Sequence, residues 1–275
     1  MKNNIEIFPF KDPESLIHPT AIIDNTACLS EAVRVGPYAI IGKNVKIGKG
    51  SIIYSHAIIN DYVEIGEGSQ IYYGAVIGSE SQDLKSKHEN SSVIIGNFNI
   101  IREYVTVNRA SELDGKTVIG DRNLLMAYSH IAHDCIVGNE NVFANSVNLG
   151  GHCIVGDNSV IGGLVGVHQF VRIGSYSMIG GLTRANQDIP PYFTTVGNPA
   201  KVEGVNITGL KRNGFSREKI NLLKEAYKII YCSGLNLSEA LEKLSSLDEI
   251  KEIKEIIEFY KAKSKRGISG LYFRT

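Results

Sequence analysis

Three things are scarce in this chain of 275 residues: cysteine, charge of one sign, and long apolar runs. Four cysteines at this length are too few for a disulfide scaffold, and no two have zinc-finger spacing. The 29 Lys and Arg residues are matched by 29 Asp and Glu residues. The chain therefore lacks the basic surplus of a nucleic-acid binder. No stretch approaches the ~20 apolar residues of a transmembrane segment. Met1 to Asp12 holds no apolar core of the roughly 7–15 residues that a secretory signal requires. The 43% hydrophobic and 21% charged content excludes disorder. The expectation is a cytoplasmic globular protein. One residue type is in excess. The 28 glycines come to about 10%, against a usual ~7%.

A repeat accounts for that excess. From Ile17, every sixth residue to Ile77 is a branched aliphatic. The phase breaks, returns at Ile95, Ile101 and Val107, breaks again, and runs from Ile119 to Ile179, for 25 hexads. Four residues after each aliphatic comes a small or β-branched residue, as at Ala21, Val33, Val45 and Ala57. Period six fits neither a 3.6-residue helix nor simple strand alternation. It fits a coil of three short strands joined by tight corners, at 18 residues per coil and about eight coils. Glycine directly follows the aliphatic in 13 hexads, including Gly36, Gly42, Gly48 and Gly174. The expected reason is positive φ at the corners. Hexapeptide repeats signal a parallel β-helix.

The phase breaks are insertions at 79–92 and 108–116, and loops leaving a rigid solenoid are natural carriers of function. The repeat decays after Ala185. Helical periodicity then takes over: Ile220, Leu223, Tyr227 and Ile230 form a stripe between an N-cap at Ser216 and a stop at Gly234. Leu237–Leu247 and Asp248–Ser264 read as further helices. The expectation is a β-helix over 1–191 and a small helical domain over 192–275. Residues 201–275 hold 15 Lys and Arg against 10 Asp and Glu, so the tail is basic and the remainder acidic.

The 18-residue coil stacks side chains. His133 falls under Gly151, and Gly151 under Gln169, with His152 and His168 flanking that column and His130 three residues before His133. Histidine is the usual general base near neutral pH. A glycine N–H beside it suits an oxyanion site. Imidazoles on neighbouring coils also suit zinc. The Gly150–Gly151 pair favours the oxyanion site, so no metal is expected. Asp134 can orient the His133 imidazole only if a corner separates the two. Cys135 and Cys153, also 18 apart, read as buried thiols filling a corner.

The runs HIAHDCIVGN (130–139), LGGH (149–152), VHQF (167–170), QDLK (82–85), QDIPPY (187–192) and GVNITGLKRNGFSRE (204–218) resemble the acyl carrier protein-dependent UDP-N-acetylglucosamine O-acyltransferases of lipid A biosynthesis. The resemblance covers nearly the whole chain. It implies a left-handed coil and a homotrimer with clefts between neighbouring β-helices. It implies His133 as general base and Gly151 N–H as oxyanion donor. Gln82, Asp83 and Lys85 would contact sugar and phosphate. His130, His152, His168 and Gln169 would line the sugar and pantetheine cleft, with Asn145 in the pantetheine-binding run. Asn206 and Arg212 would hold the nucleotide. The acyl donor would be an acyl carrier protein bearing 4'-phosphopantetheine, with no bound cofactor. Thr208 and Asn213 depart from the family pattern, and Gly181 implies room for a longer acyl chain. N-acylation of a 3-amino UDP-sugar is the alternative reading. Another hexapeptide-repeat acyltransferase and a zinc-dependent hydratase follow it.

Overall fold

A computed structural model describes residues 16–86, 90–247 and 250–270. The expectations for Met1–Asp12 and for a helix start at Asp248 lie outside the described residues. Two-residue strands stack at an 18-residue offset, as Ile22–Ile23 on Ile40–Ile41 and these on Ile58–Ile59. In the coil every third strand joins one parallel sheet, and the described residues form three sheets of nine, eight and ten strands, the last ending in an antiparallel pair. The coil is a left-handed parallel β-helix. Its aliphatics point inward and are buried: Ile41, Ile59, Ile77, Val107, Ile131 and Leu149 line the face behind the first sheet. Each contributes about 1.5–3 kcal/mol through burial, and each coil packs only on its neighbours.

The glycines work differently from the expectation. The left-handed residue of each corner lies three places after the aliphatic, and it is seldom glycine: Tyr38, Asn44, His56, Asp134, His152 and Leu164 all have φ near +60°. Of the 13 glycines that follow an aliphatic, only Gly78 has positive φ. The others are needed because coils touch there. A Cβ on Gly48 would lie 2.5 Å from the Glu67 nitrogen and 2.6 Å from the Gly66 carbonyl carbon. Close approach of backbones, not turn conformation, sets the glycine pattern.

A polar spine runs inside one corner. Ser69 N–H donates to Ser51 Oγ, Asn99 N–H to Ser69 Oγ, Asn123 N–H to Asn99 Oδ1 and Asn141 N–H to Asn123 Oδ1, all at 2.9–3.1 Å. These side chains satisfy backbone groups that the narrow corner hides from water.

The insertions appear as jumps in register. Val63 pairs with Val93, an offset of 30, and Ile100 with Leu124, an offset of 24. The strands Val76–Ser79 and Ser92–Ile95 bound the first loop, and Thr106–Asn108 and Lys116–Ile119 bound the second.

The change to helix comes later than residue 192. Phe193–Val196 extends the third sheet parallel to Met178–Ile179, and Lys201–Val205 folds back on it antiparallel. Phe193 and Thr195 point inward and Thr194 and Val196 outward. The turn signals Pro190–Pro191 and Asn198–Pro199 mask this alternation. Four α-helices follow among the described residues: α1 Ile207–Arg212, α2 Arg217–Tyr227, α3 Leu237–Ser245 and α4 Lys251–Lys261. Helix α1 is too short to leave a periodic stripe. Ser216 caps α2, as its sequence position indicates, accepting from Lys219 N–H at 3.3 Å. A π-turn over Lys228–Cys232 extends α2 toward Gly234 (φ +77°). Asn236 and Glu239 form a capping box on α3. Ile220, Leu223, Leu244, Ile253 and Ile256 make a second apolar cluster with Tyr192 and Phe193.

Candidate active site

His133 opens the corner that leads from the first sheet to the second. Asp134 follows it at φ +60°, and that turn brings the two neighbouring side chains together. His133 Nδ1 lies 2.7 Å from Asp134 Oδ2. The same oxygen accepts the Ser111 hydroxyl at 2.6 Å and the Ser111 N–H at 3.0 Å. Burial works to raise the Asp134 carboxyl, but the bonds from Ser111 and His133 outweigh it and hold the carboxyl below its usual range. An ionised carboxylate can only accept, so His133 Nδ1 donates to it, and in the neutral imidazole Nε2 is the nitrogen that keeps its lone pair.

Gly151 lies one coil further on, over the imidazole. A Cβ there would come within 2.5 Å of His133 Nε2. The Gly151 N–H donates to no acceptor among the described residues. Lower in the same corner the equivalent N–H of Lys43 is capped by Asp61 Oδ1 at 2.7 Å. The histidine column thus leaves a backbone donor open beside an imidazole.

The outer face of the first sheet forms the floor of an open cleft of about 900 Å³. His130, Asn148, Gly166 and Arg184 stand on successive strands of that floor. The inserted loop supplies one wall with Gln82, Asp83, Leu84 and Lys85, and His133, His168 and Gln169 also line the cleft. Asp83 Oδ1 accepts from Lys85 N–H at 2.9 Å and fixes the loop turn. His130 Nδ1 lies 2.7 Å from Thr106 Oγ1. Burial, with the nearby His133, pushes the His130 pKa down.

Four predicted residues lie elsewhere. His152 sits behind the dyad, its ring stacked on Phe170 at 4.6 Å and its Nε2 3.7 Å from Asp134 Oδ2. Burial lowers its pKa, against the pull of Asp134. Asn145 occupies the opposite corner, between the third sheet and the first, and is exposed. Asn206 caps α1 through Gly209 N–H and donates to the Tyr176 carbonyl at 2.9 Å. Arg212 ends α1 on the surface.

The sequence reading missed Ser111, Asn148, Gly166, Arg184 and Asn186. Counting 18 from His130 reaches Asn148, Gly166 and Arg184 directly. Ser111 carried no such signal, because its loop breaks the phase. The two corner cysteines are free and buried, their thiols donating to the Gly150 and His168 carbonyls at 3.2 Å. Cys153 and burial push the Cys135 thiol pKa up. Neither has the character of a nucleophile.

His133, Asp134 and His152 bring three ligand-type atoms within 4.8 Å of one another. Tetrahedral zinc ligands at ~2.0–2.2 Å stand about 3.3 Å apart. The 2.7 Å between His133 and Asp134 is the separation of a shared proton.

Residues 188–269 match the family described as Udp N-acetylglucosamine O-acyltransferase, domain 2, and residues 116–151 match bacterial transferase hexapeptide repeats. A hexapeptide β-helix with a His–Asp pair facing an uncapped glycine N–H defines the class: a hexapeptide-repeat acyltransferase. The chain is 51% identical to the acyl-[acyl-carrier-protein]–UDP-N-acetylglucosamine O-acyltransferase of Thermodesulfovibrio yellowstonii, over 92% of this chain and 98% of that one. It belongs to that family of UDP-N-acetylglucosamine O-acyltransferases. The relative from Alkalilimnicola ehrlichii is 46% identical at the same coverage. The solved UDP-N-acetylglucosamine acyltransferase of Bacteroides fragilis superposes with a TM-score of 0.89 at 44% identity, covering 91% of this chain and 98% of that one.

Proposed function

We propose that this chain moves an acyl group from the phosphopantetheine thioester of an acyl carrier protein to the 3-hydroxyl of UDP-N-acetylglucosamine, the first step of lipid A biosynthesis. The observation that carries the reading is the His133–Asp134 pair, 2.7 Å apart, beside the open Gly151 N–H. His133 Nε2 takes the hydroxyl proton as the sugar oxygen attacks the thioester carbon. The Gly151 N–H donates to the oxyanion that forms. Collapse breaks the carbon–sulfur bond, and the leaving thiolate takes the proton from His133. No acyl-enzyme is needed, in keeping with the buried state of Cys135 and Cys153. Gln82, Asp83 and Lys85 hold sugar and phosphate from the loop wall, and His130, His168 and Gln169 shape the floor. Asn206 builds α1, and Arg212 at its far end, in no ion pair among the described residues, supplies charge to the diphosphate.

A homotrimer fits the surface. Tyr38, Tyr104, Tyr128, Leu164 and Leu182 expose an apolar ridge along the corner that also carries Asn145. Asn145 would enter the cleft of a neighbouring copy from there, and His152 supports the dyad from behind. The proposed place of the reaction is the cytoplasm. No helix among the described residues is long and apolar enough to cross a membrane.

The test is product identity. The protein and a 3-hydroxyacyl carrier protein are incubated with UDP-N-acetylglucosamine and, separately, with its 3-amino analogue, and the sugar product is examined by mass spectrometry before and after mild base. A base-labile ester at position 3 is expected. No acylated sugar, or acylation only of a 3-amino acceptor as a stable amide, contradicts the reading.

A further inference from the structure

Ser111 belongs to the second insertion, yet its side chain lies inside the dyad. It is 8% exposed. Its hydroxyl and N–H both reach Asp134 Oδ2, at 2.6 and 3.0 Å, on the oxygen that holds His133 Nδ1 at 2.7 Å. Its carbonyl accepts the Ser86 hydroxyl at 3.3 Å from the loop that carries Gln82, Asp83 and Lys85. Asp134 is anchored a second time, its N–H donating to Thr117 Oγ1 at 2.9 Å. One serine therefore touches both the loop that walls the cleft and the carboxylate that orients the base.

We infer that Ser111 is a positioning residue of the acyl transfer, sharing the charge of Asp134 so that His133 keeps a fixed tautomer and a free Nε2. The inference rests on the proposed base role of His133. The chemistry is direct. A carboxylate oxygen with three donors divides its charge among them. Removing the hydroxyl concentrates that charge on the imidazole, which then holds its proton more tightly, and it frees the carboxylate to rotate. His133 faces Asp134 and His152 across the corner and His130 on the strand before it; Glu112 and Lys265 act on His152; Asp83, Lys85 and Arg184 line the same cleft. None of these is altered by a change at Ser111.

The experiment compares Ser111→Ala and Ser111→Thr with the parent, using full kinetics from pH 5 to 9. In Ser111→Ala, kcat falls about tenfold and the acid limb of kcat/KM moves to higher pH. KM for the nucleotide sugar stays within about twofold, as expected when ground-state binding is kept. Ser111→Thr, which keeps the hydroxyl, restores both the rate and the limb. An unmoved acid limb in folded Ser111→Ala overturns the assignment, whether or not the rate falls. Activity retained in His133→Ala overturns instead the base reading on which it rests, so the two failures are distinguishable.

Discussion

Gly151 is constrained from its Cα outward, because the His133 ring occupies the space a side chain would take. The smallest substitution therefore has a large effect. Gly151→Ala is expected to fold, since the clash is with a ring tip, and to lose activity by about a hundredfold as base and oxyanion donor separate. Circular dichroism and steady-state rates on one sample check both halves. His130 offers a stability test. Burial, with His133, holds its pKa below 6.5, so in acid the unfolded chain takes up this proton first. Stability contributed by neutral His130 is complete above pH 6.5 and is lost as pH falls through and below that value. Denaturant midpoints at pH 7.5 and 5.5 are expected to differ less in His130→Gln than in the parent.

The insertions and the solenoid can be separated. Residues 80–91 add 12 to an 18-residue coil, as the 30-residue pairing offset of Val63 and Val93 records. Their excision joins Ser79 to Ser92 and restores the six-residue phase, with Val93 at the small inward position and Ile95 at the aliphatic one. The shortened protein is expected to keep its circular dichroism spectrum and to lose measurable binding of UDP-N-acetylglucosamine by calorimetry. Legibility follows the same division. Where the chain repeats, sequence alone located the coil, the inward aliphatics and the His133–Gly151 stack, because each residue there is specified by its place among six. Ser111 was not legible, because a loop outside the phase has no register to count from. The Phe193–Val196 and Lys201–Val205 strands and α1 were missed because prolines and short length hide their period. The glycines were located correctly but explained wrongly. Only the neighbouring coil shows that inter-coil contact, not φ, demands all of them but Gly78.

Over the whole molecule, the zero net charge is a cancellation between an acidic coil and a basic tail. Lys211, Arg217 and Lys224 surround a hollow with Phe215 and Ile220 on the helical end. That surface suits an acidic partner such as an acyl carrier protein. Charge reversal at Lys211, Arg212 and Arg217 together is expected to raise KM for the acyl carrier protein about tenfold at low salt, with the gap narrowing at high salt. Equal KM values would make the charge division incidental. The proposed reaction depends on one atom, His133 Nε2, acting on a sugar held in the cleft. The most direct measurement is the single-turnover rate of His133→Ala with saturating UDP-N-acetylglucosamine and acyl carrier protein, alongside the affinity of the variant for the nucleotide sugar. A rate loss of at least about a hundredfold at near-parental affinity is predicted. Turnover at the parental rate would contradict the account.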